Sequence, residues 1–373
     1  MQLKRIAIIG TVGVPGNYGG FETLAQNLVD FHGDMDSSST LSVYCSAKAF
    51  PAQPDHYGSA RLRYIRLNAN GVQSIPYDIL SLFDAIRRGD NRLLLLGVSG
   101  ALSLPLIRLF GQARIVTNID GIEWKREKWK GLARLVLRAS EWAAVRFSHE
   151  VIADNDAIAQ YVRNSYGIDC HVIAYGGDHA LDHAGAAEAP AGLPPCYALA
   201  LCRIEPENNV HCVLEALDGA GTPLVFVGNW DNSAYGRDLK EQYGGRPNLH
   251  LLDPVYEPGA LYALRARASV YLHGHSAGGT NPSLVEMMHF GVPVLAHACA
   301  FNRHTTEGKA CYFETANELA DLLRGLDPGT AARIGADMRE IAQRRYTWNR
   351  IGRAYFELLD RAEGGTIGAD TRT

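Results

Sequence analysis

The sequence predicts a two-domain α/β protein in which each domain is a parallel β-sheet covered by helices. A chain of 373 residues is long for a single core, and its 47% hydrophobic and 20% charged residues are typical of globular proteins. Short apolar runs alternate with segments of helical period, which indicates strands buried on both faces. This alternation stops once, between Asp178 and Pro195, in a stretch rich in Ala, Gly and Pro. We interpret that stretch as the connection between the two domains.

Strand-like segments before this connection predict the amino-terminal sheet. One of them opens the segment LLLLGVSGALSLPLIRLFG, residues 93–111, which is long enough to suggest a membrane span. Gly97, Gly100, Pro105 and Arg108 interrupt it, so we interpret it as a buried strand, a turn and an amphipathic helix. In chain order the predicted strands are RIAIIG, LSVYC, RLRYIRL, RLLLLG, RIVTNI, EVIAD and HVIAY.

A second alternating series predicts the carboxy-terminal sheet, with the strands YALALC, TPLVFVG, NLHLLD, ASVYLHG and PVLAH. Near the end, YTWNRIGRAYFELLDRA has Trp348, Ile351, Tyr355 and Leu358 at helical spacing, which predicts a terminal helix with one apolar face. The predicted parts are a Rossmann-like domain over 1–180, a linker over 181–195, a second Rossmann-like domain over 196–345, the terminal helix over 346–362 and a flexible tail over 363–373.

Charge and cysteine usage exclude several classes of protein. The formal net charge of −4 lacks the basic footprint of a nucleic-acid-binding protein. Seven scattered cysteines without a C-x-x-C pair predict reduced thiols and no metal-ligand spacing. The amino-terminal segment MQLKRIAIIG has too short an apolar run for a signal peptide. We therefore expect a cytoplasmic protein that has no nucleic acid as a partner.

A glycine-rich loop, GTVGVPGNYGG at residues 10–20, leads from the first strand into the helical segment FETLAQNLVDF. Free N–H groups at a helix start predict an anion site, and Gly19 and Gly20 allow close approach to the backbone. The dinucleotide fingerprint is absent because Gly10 and Gly13 are three apart, and Ser-Ala-Lys follows the second strand where an acidic residue would bind ribose. A P-loop lysine is also absent. The loop therefore either binds another phosphate-bearing ligand or is a long turn without one.

The segment SAGGTNPSLVEMMHFGVPVLA, residues 276–296, carries the strongest signal in the second half. Gly279 and Thr280 lie in a predicted turn, and Asn281 fits the N-cap of a helix whose first residue is a proline. The start of this helix can hold a phosphate. Glu286, more than one turn further on, can reach a ribose hydroxyl.

This block resembles the donor-site signature of retaining GT-B glycosyltransferases of the glycosyltransferase 4 type, E-x7-E followed by small-x-x-G-x-P-V. The segments VIAYGGD, LCRIEPENNVHCVLEAL, VFVGN and LLDPVYEPGALYALRARASVYLHG are similar to further pieces of that family and follow in its order. The resemblance covers nearly the whole chain. It implies a GT-B architecture, in which two Rossmann-like domains face each other across a cleft and the C-terminal helix crosses back onto the first domain.

Two positions depart from the family pattern. Gly278 stands where the first Glu is expected, and Asn208 or Asn209 replaces the lysine that accompanies Arg203 as a diphosphate ligand. In GTVGVPGNYGGFET, NIDGIEWKREKW, RIEPENN and GHSAGGTNPSLVE the chain resembles bacterial rhamnosyltransferases of surface-polysaccharide assembly, which often use dTDP-rhamnose. The resemblance implies rhamnose transfer, with a UDP- or GDP-sugar donor as the alternative in the same fold.

Sugar transfer from a nucleotide diphosphate needs a site that stabilises the negative charge of the leaving group. Arg203 is a predicted catalytic residue because its guanidinium can pair with phosphate oxygens in fork geometry, so no metal or other cofactor is expected. Two D-x-D tripeptides, residues 34–36 and 154–156, are the rival signal for a metal-dependent transferase, and we interpret them as solvated caps or turns. The predicted donor-binding residues are Gly19, Gly20, Arg203, Asn208, Gly279, Thr280, Asn281 and Glu286.

Acceptor-side chemistry is assigned to the first domain. Asp120, which follows an apolar strand in TNIDGIEW, is the second predicted catalytic residue because it can orient the acceptor hydroxyl or accept its proton. The alternatives are a turn-forming Asp-Gly pair and, in a retaining front-face mechanism, the leaving phosphate as base. Tyr18 and Glu22 are further acceptor-side candidates. His273 and His275, near the donor loop, are either structural or in direct contact with the donor.

The segment WKREKWKGLARLVLR, residues 124–138, has six Lys or Arg and two Trp. It is either a solvated helix or a membrane-surface patch that approaches a polyprenyl-diphosphate-linked acceptor. The predicted partners are thus a nucleotide-sugar donor and a saccharide acceptor, with peripheral contact at the inner face of the membrane. Two other functions stay open, a GT-B-like nucleotide-sugar epimerase and a nucleotide-sugar-binding protein without catalysis.

Overall fold

The computed structural model describes residues 3–16, 19–35, 38–122, 124, 131–185 and 188–361, which fall into two compact units. The described residues of unit 1 lie within Met1–Asp154, Ile158–Ile173 and Asn349–Thr373. Those of unit 2 lie within Asn155–Ala157 and Ala174–Trp348. Residues 349–361 therefore belong to the same unit as the first described residues of the chain.

An eight-stranded sheet forms the centre of unit 1. In chain order its strands are β1 (Arg5–Ile9), β2 (Thr40–Ser46), β3 (His56–Tyr57), β4 (Ala60–Ile65), β5 (Arg92–Leu96), β6 (Arg114–Asn118), β7 (Glu150–Ala153) and β8 (His171–Val172). Their order across the sheet is β3-β4-β2-β1-β5-β6-β7-β8, and every pair is parallel except β3 with β4. The central strands β1 and β5 are buried over four of their five residues, as expected for strands covered on both faces.

A six-stranded parallel sheet forms the centre of unit 2. Its strands are β9 (Tyr197–Leu201), β10 (Leu224–Val227), β11 (Leu249–Leu252), β12 (Ala268–His273), β13 (Val294–His297) and β14 (Cys311–Phe313). Their order is β11-β10-β9-β12-β13-β14. Phe226 and Trp230 pack edge to face at 5.2 Å between ring centroids within the apolar core of this unit.

Helices connect most of the strands, as the alternating pattern predicts. They are α1 (Gly20–Asp34), α2 (Ser74–Arg87), α3 (Leu104–Phe110), α4 (Gly131–Phe147), α5 (Asp156–Tyr166), α6 (Val210–Ala220), α7 (Ala234–Tyr243), α8 (Pro258–Ala266), α9 (Pro282–Phe290), α10 (Ala300–Thr305), α11 (Ala316–Gly325), α12 (Pro328–Arg345) and α13 (Trp348–Asp360). The side chains of Ser233, Glu257, Thr315 and Asp327 cap the amino-terminal ends of α7, α8, α11 and α12.

The last helix, α13, is part of the core of unit 1. The ring of Phe356 stacks on Phe31 with 5.8 Å between centroids. The Asn118 side-chain amide donates to the Tyr355 hydroxyl at 2.6 Å, and Arg114 Nε donates to the backbone oxygen of Leu358 at 3.1 Å. The apolar face predicted for this helix is therefore buried against the strands and helices of unit 1.

In each sheet the chain changes direction once across the strands. In unit 1 the neighbours of β1 are β2 and β5, and in unit 2 the neighbours of β9 are β10 and β12. The connections diverge at such a point and leave space beyond the carboxyl ends of the strands, where α/β proteins bind ligands. The residues that follow β1, β5, β9 and β12 are therefore the first candidates for ligand contacts.

The predicted α/β class with two sheets is confirmed, and most predicted strands are present. The predicted strand HVIAY shortens to β8, and the short strands β3 and β14 were not predicted. Residues 93–111 form the end of β5, a short 3₁₀ turn and α3, as interpreted from the sequence. In the part of the chain that the structure describes, no helix combines the length and apolar character needed to cross a bilayer. Between Asp178 and β9 the described chain has a 3₁₀ turn at Asp178–Leu181 and is otherwise irregular.

The interpretation of both D-x-D tripeptides as solvated caps or turns is wrong for Asp154. Asp34 is exposed in the last turn of α1, and Asp36 lies outside the described residues. Asp154 follows β7 and is only 1% exposed, so it is enclosed rather than solvated. Asp156 begins α5, and one of its carboxylate oxygens lies 3.6 Å from Arg345 Nη2. The two carboxylates of the second tripeptide therefore have different surroundings.

Candidate functional site

The carboxyl ends of β9 and β12 lie side by side in unit 2, at the point where the chain changes direction. Cys202 and Arg203 follow β9, and Gly274 and His275 follow β12. The helix α9 begins beyond the second of these loops. Most of the residues predicted to bind the donor therefore lie at this edge of the sheet.

Backbone and amide contacts join the loops that follow β9 and β12. Asn209, which has a left-handed φ of 49°, donates from its side-chain amide to the Gly274 oxygen at 2.8 Å. Ser276 donates to the Glu207 oxygen from its backbone N–H at 3.0 Å and from its hydroxyl at 2.8 Å. A β-carbon on Gly274 would lie 2.2 Å from the Asn208 oxygen, so this approach requires glycine. The sequence did not predict that Gly274 and Ser276 join the two loops. The one feature that could have indicated it is a glycine directly after an apolar strand.

Arg203 and Asn208 have different roles at this edge of the sheet. The Asn208 side chain is buried, and its amide donates to the backbone oxygen of Arg203 at 2.7 Å. The Arg203 side chain is 43% exposed, and its Nη1 lies 3.6 Å from Glu205 Oε1. Asn208 therefore holds the backbone that carries Arg203, while the guanidinium extends from the end of the strand with one long ionic contact.

The predicted start of α9 is confirmed. Asn281 is the N-cap, and its side-chain oxygen accepts hydrogen bonds from Ser283 N at 3.1 Å and Ser283 Oγ at 2.9 Å. Pro282 follows at the first helical position, and Thr280 is buried before the cap. The positive end of this nine-residue helix thus lies at the carboxyl edge of the sheet, where it favours anions.

Glu286 belongs to a buried ion pair. Its residue is 8% exposed, and its Oε2 accepts a hydrogen bond from Nη2 of Arg265, which is equally buried on α8. Its other oxygen lies 3.5 Å from His179 Nε2. The carboxylate predicted to reach a ribose hydroxyl therefore has one oxygen neutralised by an arginine that sequence reasoning missed. That arginine had no motif signal, since it is one of several basic residues near the end of a helix.

A hydrogen bond from Trp348 determines which ring nitrogen of His179, the neighbour of Glu286, carries the proton. The indole Nε1–H of Trp348 donates to His179 Nδ1 at 2.8 Å. An indole N–H can only donate, so Nδ1 is the acceptor and the ring proton lies on Nε2, which points to Glu286. Burial lowers the pKa of His179 although the Glu286 charge acts in the opposite direction. A neutral histidine therefore donates towards the carboxylate, and Asp178 Oδ1 fixes the Trp348 backbone N–H at 2.8 Å.

His273 and His275 form a stacked pair behind the same loop. Their ring centroids are 4.3 Å apart with 14° between the planes. His273 is 1% exposed, and neither of its ring nitrogens has a hydrogen-bond partner in the part of the chain that the structure describes. Burial, and then the proximity of His275 and His297, hold the pKa of His273 well below its ordinary value. The ring is therefore neutral and enclosed, which agrees better with a packing role than with direct contact.

In unit 1, the glycine-rich loop after β1 is held by its own helix. Glu22, in the first turn of α1, accepts hydrogen bonds from Val12 N at 2.9 Å and Thr11 Oγ1 at 3.2 Å. A β-carbon on Gly19, whose φ is 126°, would lie 1.9 Å from Glu22 Oε2. A carboxylate of the chain itself therefore occupies the positive end of this helix, where the sequence predicted a bound anion.

Two glycines of this loop, Gly13 and Gly19, lie close to neighbouring side chains. A β-carbon on Gly13 would lie 2.7 Å from Cys45 Sγ and 2.6 Å from a ring carbon of Phe50. Protein atoms therefore fill the side of Gly13 and Gly19 on which a β-carbon would lie, and donor contact by Gly19 stays a prediction. Gly20 is the first residue of α1. Tyr18 lies outside the described residues.

Asp120 lies in a strained turn directly after β6. Its φ is 58°, in the left-handed region that residues other than glycine rarely adopt. Its backbone N–H donates to Asn118 Oδ1 at 2.9 Å, and the amide of Asn118 is in turn held by Tyr355. The half-buried Asp120 is thus presented at the carboxyl end of a strand by a short chain of hydrogen bonds that begins on α13.

Some predicted features lie where the structure gives no placement. Lys125, Arg126, Lys128 and Lys130 of the basic segment are outside the described residues. Within the residues that are described, no three His, Cys, Asp or Glu side chains are grouped so that they could hold a metal ion.

Two family models match this chain, one over each half. The model described as Glycosyl transferases group 1 matches residues 191–326. The model described as Domain of unknown function (DUF1972) matches residues 3–178. No curated protein is similar enough in sequence to be matched. The first match covers β9 to α11, and therefore includes Arg203, α9 and Glu286.

Solved structures share the fold over almost the whole chain. The sucrose-phosphate synthase of Thermosynechococcus elongatus has a TM-score of 0.74 at 17% identity, covering 95% of this chain and 98% of its own. The trehalose-6-phosphate synthase OtsA has a TM-score of 0.72 at 12% identity, covering 96% and 99%. The Anabaena protein HepE, solved in complex with UDP and glucose, has a TM-score of 0.68 at 16% identity, covering 97% and 100%.

These findings define a class of protein. Two parallel-sheet, Rossmann-like units with α13 returned to the first of them are the fold of the GT-B glycosyltransferases. The family match over unit 2 supports the same class at the level of sequence. The chain therefore has the GT-B fold, and residues 191–326 match the model of group 1 glycosyltransferases.

Proposed function

We propose that this protein transfers rhamnose from dTDP-rhamnose to a saccharide acceptor of a bacterial surface polysaccharide, with retention of configuration and without a metal. The observation that carries the proposal is that Arg203 follows β9 and α9 begins beyond β12, and that these two strands are neighbours in the sheet of unit 2. The rhamnosyl donor rests on the resemblance of GTVGVPGNYGGFET, NIDGIEWKREKW and GHSAGGTNPSLVE to rhamnosyltransferases of the glycosyltransferase 4 type.

In this proposal unit 2 binds the nucleotide-sugar. The Arg203 guanidinium pairs with diphosphate oxygens, and the N-terminal end of α9, with Gly279 and Thr280 before it, supports the same charge. Both groups stabilise the leaving nucleoside diphosphate as its negative charge grows, which is the part a metal performs in other transferases. The Glu286 carboxylate, oriented by Arg265 and His179, accepts a hydrogen bond from a hydroxyl of the donor.

Unit 1 supplies the acceptor side in the same proposal. Asp120 orients the acceptor hydroxyl or takes its proton, and its left-handed turn gives the carboxylate a defined direction. The contacts of Glu22 with Val12 and Thr11 favour an organising part for this residue over direct acceptor contact. Tyr18 stays a candidate for acceptor contact on its sequence position. We further propose a polyprenyl-diphosphate-linked acceptor, reached from the cytoplasmic face of the membrane.

Thermal-shift measurements with dTDP, UDP, GDP and ADP test the donor assignment. We expect dTDP to raise the Tm most, and dTDP-rhamnose to be hydrolysed or transferred at the same rate with and without EDTA. Stabilisation by none of the four nucleotides would contradict a nucleotide-sugar site in unit 2. A rate that collapses in EDTA and returns with Mg²⁺ would contradict the metal-free mechanism.

Arg203 variants test the diphosphate contact. Arg203→Lys keeps the charge but loses the planar fork, so we expect weaker donor turnover than wild type and stronger than Arg203→Ala. Removal of one such charge-stabilising donor typically costs about 100-fold or more in kcat. Arg333→Ala, an exposed arginine on α12, is the matched control and should leave turnover unchanged. Wild-type kinetics for Arg203→Ala would refute the assignment.

A UDP-sugar donor is the second candidate, because HepE, which shares the fold, was solved with UDP and glucose. A larger Tm shift with UDP than with dTDP would favour it. An epimerase would convert the sugar nucleotide without any acceptor, and a binding protein would be stabilised by nucleotide with no turnover.

A further inference from the structure

Two neighbouring helices of unit 1 expose large apolar side chains. On α3, Leu109 is 73% and Phe110 81% exposed, and on α4, Leu135 is 64% and Trp142 50% exposed. The two helices pack against each other, so these side chains lie on adjoining elements of one surface, which we call the α3–α4 face. Single exposed apolar residues are ordinary, but several large ones on adjoining helices mark an interaction surface.

All exposed charges of the α3–α4 face are arginines. On α4 the exposed residues Arg134, Arg138, Trp142 and Arg146 recur every four positions, so they line one side of the helix. On α3 the exposed charge is Arg108. The face is therefore positive as well as apolar.

A single acidic residue, Glu141, occurs in α3 and α4 together, and it is buried, at 3% exposed. Its Oε1 accepts hydrogen bonds from the hydroxyls of Tyr161 at 2.6 Å and Tyr166 at 2.5 Å. The Glu141 carboxylate therefore binds side chains inside unit 1. Within α3 and α4, no other acidic residue offsets the arginine charges of the face.

Aromatic rings lie among these cations. The guanidinium groups of Arg134 and Arg138 lie over the ring of Trp124, at 5.2 Å and 5.4 Å from its centroid. Trp142 packs edge to face on Phe147 at 5.6 Å, with half of its surface in solvent. Tryptophan and arginine side by side suit the boundary between lipid headgroups and acyl chains, because each has an apolar body and a polar end.

We propose that the α3–α4 face docks on the surface of a bilayer that contains anionic phospholipids. Leu109, Phe110, Leu135 and Trp142 enter the headgroup region, and the arginines pair with lipid phosphates. The single-sign charge favours this occupant over a second copy of the chain, because a two-fold contact through this face would place arginine against arginine. The proposal deepens the proposed function by naming the surface through which the enzyme meets a lipid-linked acceptor, but its chemistry is independent of the donor.

Vesicle flotation with the full chain tests this surface. We expect wild type to float with vesicles of phosphatidylcholine and phosphatidylglycerol, and much less with phosphatidylcholine alone. The double variant L109S/F110S should lower the partition coefficient by roughly ten-fold or more on both vesicle types, since it removes two inserting side chains. The double variant R134Q/R138Q should lose the preference for anionic vesicles and the salt dependence of binding.

Two variants serve as matched controls. Leu3→Ser alters an apolar residue of unit 1 that is 51% exposed and belongs to neither helix, and R324Q/R333Q removes two exposed arginines of unit 2. Both should float like wild type. All the altered side chains are exposed, so Tm and circular dichroism should stay at wild-type values and confirm that each variant is folded.

The outcomes separate this proposal from the proposed function. Wild-type flotation by L109S/F110S, or no vesicle binding by wild type, overturns the α3–α4 face as a membrane surface. A wild-type dimer by light scattering that L109S/F110S converts to a monomer assigns the face to a second copy and also overturns it. Donor hydrolysis in solution should be unchanged in L109S/F110S. Vesicle binding without turnover of any sugar nucleotide would leave this surface standing and remove the glycosyl-transfer proposal.

Discussion

Asp120 shows how one residue can combine an unfavourable backbone with a candidate chemical role. A left-handed conformation costs a residue with a β-carbon about 1–2 kcal/mol, and Asn and Asp tolerate it best. Two hydrogen bonds stabilise this conformation: Asp120 N donates to Asn118 Oδ1, and the Asn118 amide donates to the Tyr355 hydroxyl. Such strain is common where a side chain must point in a set direction.

Asp120→Asn should therefore separate structure from chemistry. We expect its free energy of unfolding to lie within about 0.5 kcal/mol of wild type, because asparagine also accepts this conformation. Transfer should fall by about 100-fold if the carboxylate accepts the acceptor proton. Urea unfolding and initial rates measure the two effects. Asp120→Gly is the control for the turn, and wild-type transfer in Asp120→Asn would reduce Asp120 to a turn-forming residue.

Asp78 gives unit 1 a pH-dependent stability. Its carboxyl is buried on α2, its Oδ1 has no hydrogen-bond partner among the described residues, and burial holds its pKa well above the ordinary value although the Gly100 N–H acts against this. The folded state therefore binds the proton more tightly than the unfolded state. This stabilising contribution is complete below the ordinary carboxyl pKa and is lost as pH rises through the raised pKa.

Asp78→Asn should remove that pH dependence. The amide is neutral at every pH, so the variant should gain stability relative to wild type when both are compared at pH 8 instead of pH 5. Urea unfolding at the two pH values measures the difference. An equal change in both proteins would mean that Asp78 binds the same number of protons in the folded and unfolded states over this range, so that burial does not raise its pKa.

The Arg265–Glu286 pair complicates any simple test of Glu286. Glu286→Ala would leave the Arg265 charge buried and unpaired, at a cost of about 3–5 kcal/mol, so lower activity would reflect unfolding as well as lost donor contact. The double variant R265M/E286L replaces both charges with apolar groups and should recover most of that loss.

Urea unfolding of R265M, E286L and the double variant R265M/E286L measures this coupling directly. We expect the double variant to be more stable than Glu286→Ala and still to bind nucleotide-sugar more weakly than wild type. Single costs that add up in the double variant would show that the pair is not coupled. Wild-type donor affinity in the folded double variant would remove Glu286 from the donor site.

At the scale of the element, α9 is the clearest case in which local sequence decides a structure. Asn281 and Pro282 set its first turn, and Gly291, with a φ of 68°, ends it. The N-cap of α9 and its proposed phosphate site lie at the same end of the helix. A substitution there can therefore change helix stability, donor binding or both, and the side chain must be chosen so that the two effects can be measured separately.

Asn281→Asp and Asn281→Ala make that separation. Aspartate caps a helix as well as asparagine, so Asn281→Asp should keep the stability of wild type, but its negative charge should repel the diphosphate and lower donor affinity. Asn281→Ala should cost about 1 kcal/mol of stability through loss of the cap. Thermal unfolding and donor titration measure both. Unchanged donor affinity in Asn281→Asp would contradict a diphosphate at the start of α9.

The helix α3 shows the opposite case. Its apolar content predicted an amphipathic helix packed on the sheet, and Leu104 and Ile107 are buried as expected. Leu109 and Phe110 are nevertheless exposed, because seven residues of helix bury only one narrow side. Hydrophobic periodicity indicates which residues can be buried, but neighbouring elements decide which of them are.

On the scale of the whole molecule, unit 1 is completed by a helix from the far end of the chain. Ile351, Tyr355, Phe356, Leu358 and Leu359 of α13 are all buried there. A salt bridge of 2.8 Å between Lys4 Nζ and Asp360 Oδ1 joins the residue before β1 to the last residue of α13. The stability of the first unit therefore depends on residues that are synthesised after the second.

A chain that ends at residue 347 lacks α13 and should therefore have a less stable unit 1. We expect a lower Tm and aggregation, because the apolar surface of α1 and β6 that α13 covers becomes exposed. A chain that ends at residue 361 keeps the helix and should unfold like the full chain. Differential scanning calorimetry and light scattering compare the three. A wild-type transition in the shorter chain would show that unit 1 folds without α13.

Much of this architecture follows from local pattern. Apolar runs bounded by helical segments predicted the strands of both sheets, since burial on both faces leaves a continuous apolar signature. Asn281 with Pro282 predicted the start of α9 because a cap uses only neighbouring atoms. Asp154 failed as a solvated turn, because burial depends on what packs there from elsewhere in the chain.

By itself the sequence determined the α/β class, the division into two sheets, the cap of α9 and the motifs that resemble glycosyltransferases. Only the tertiary structure decided that Glu286 pairs with Arg265, that Asn208 holds the backbone of Arg203 and that Glu22 occupies the start of α1. The physical reason is range. Strand and helix signals arise between residues a few positions apart, whereas ion pairs and buried hydrogen bonds join residues that approach only when the sheet brings their strands together.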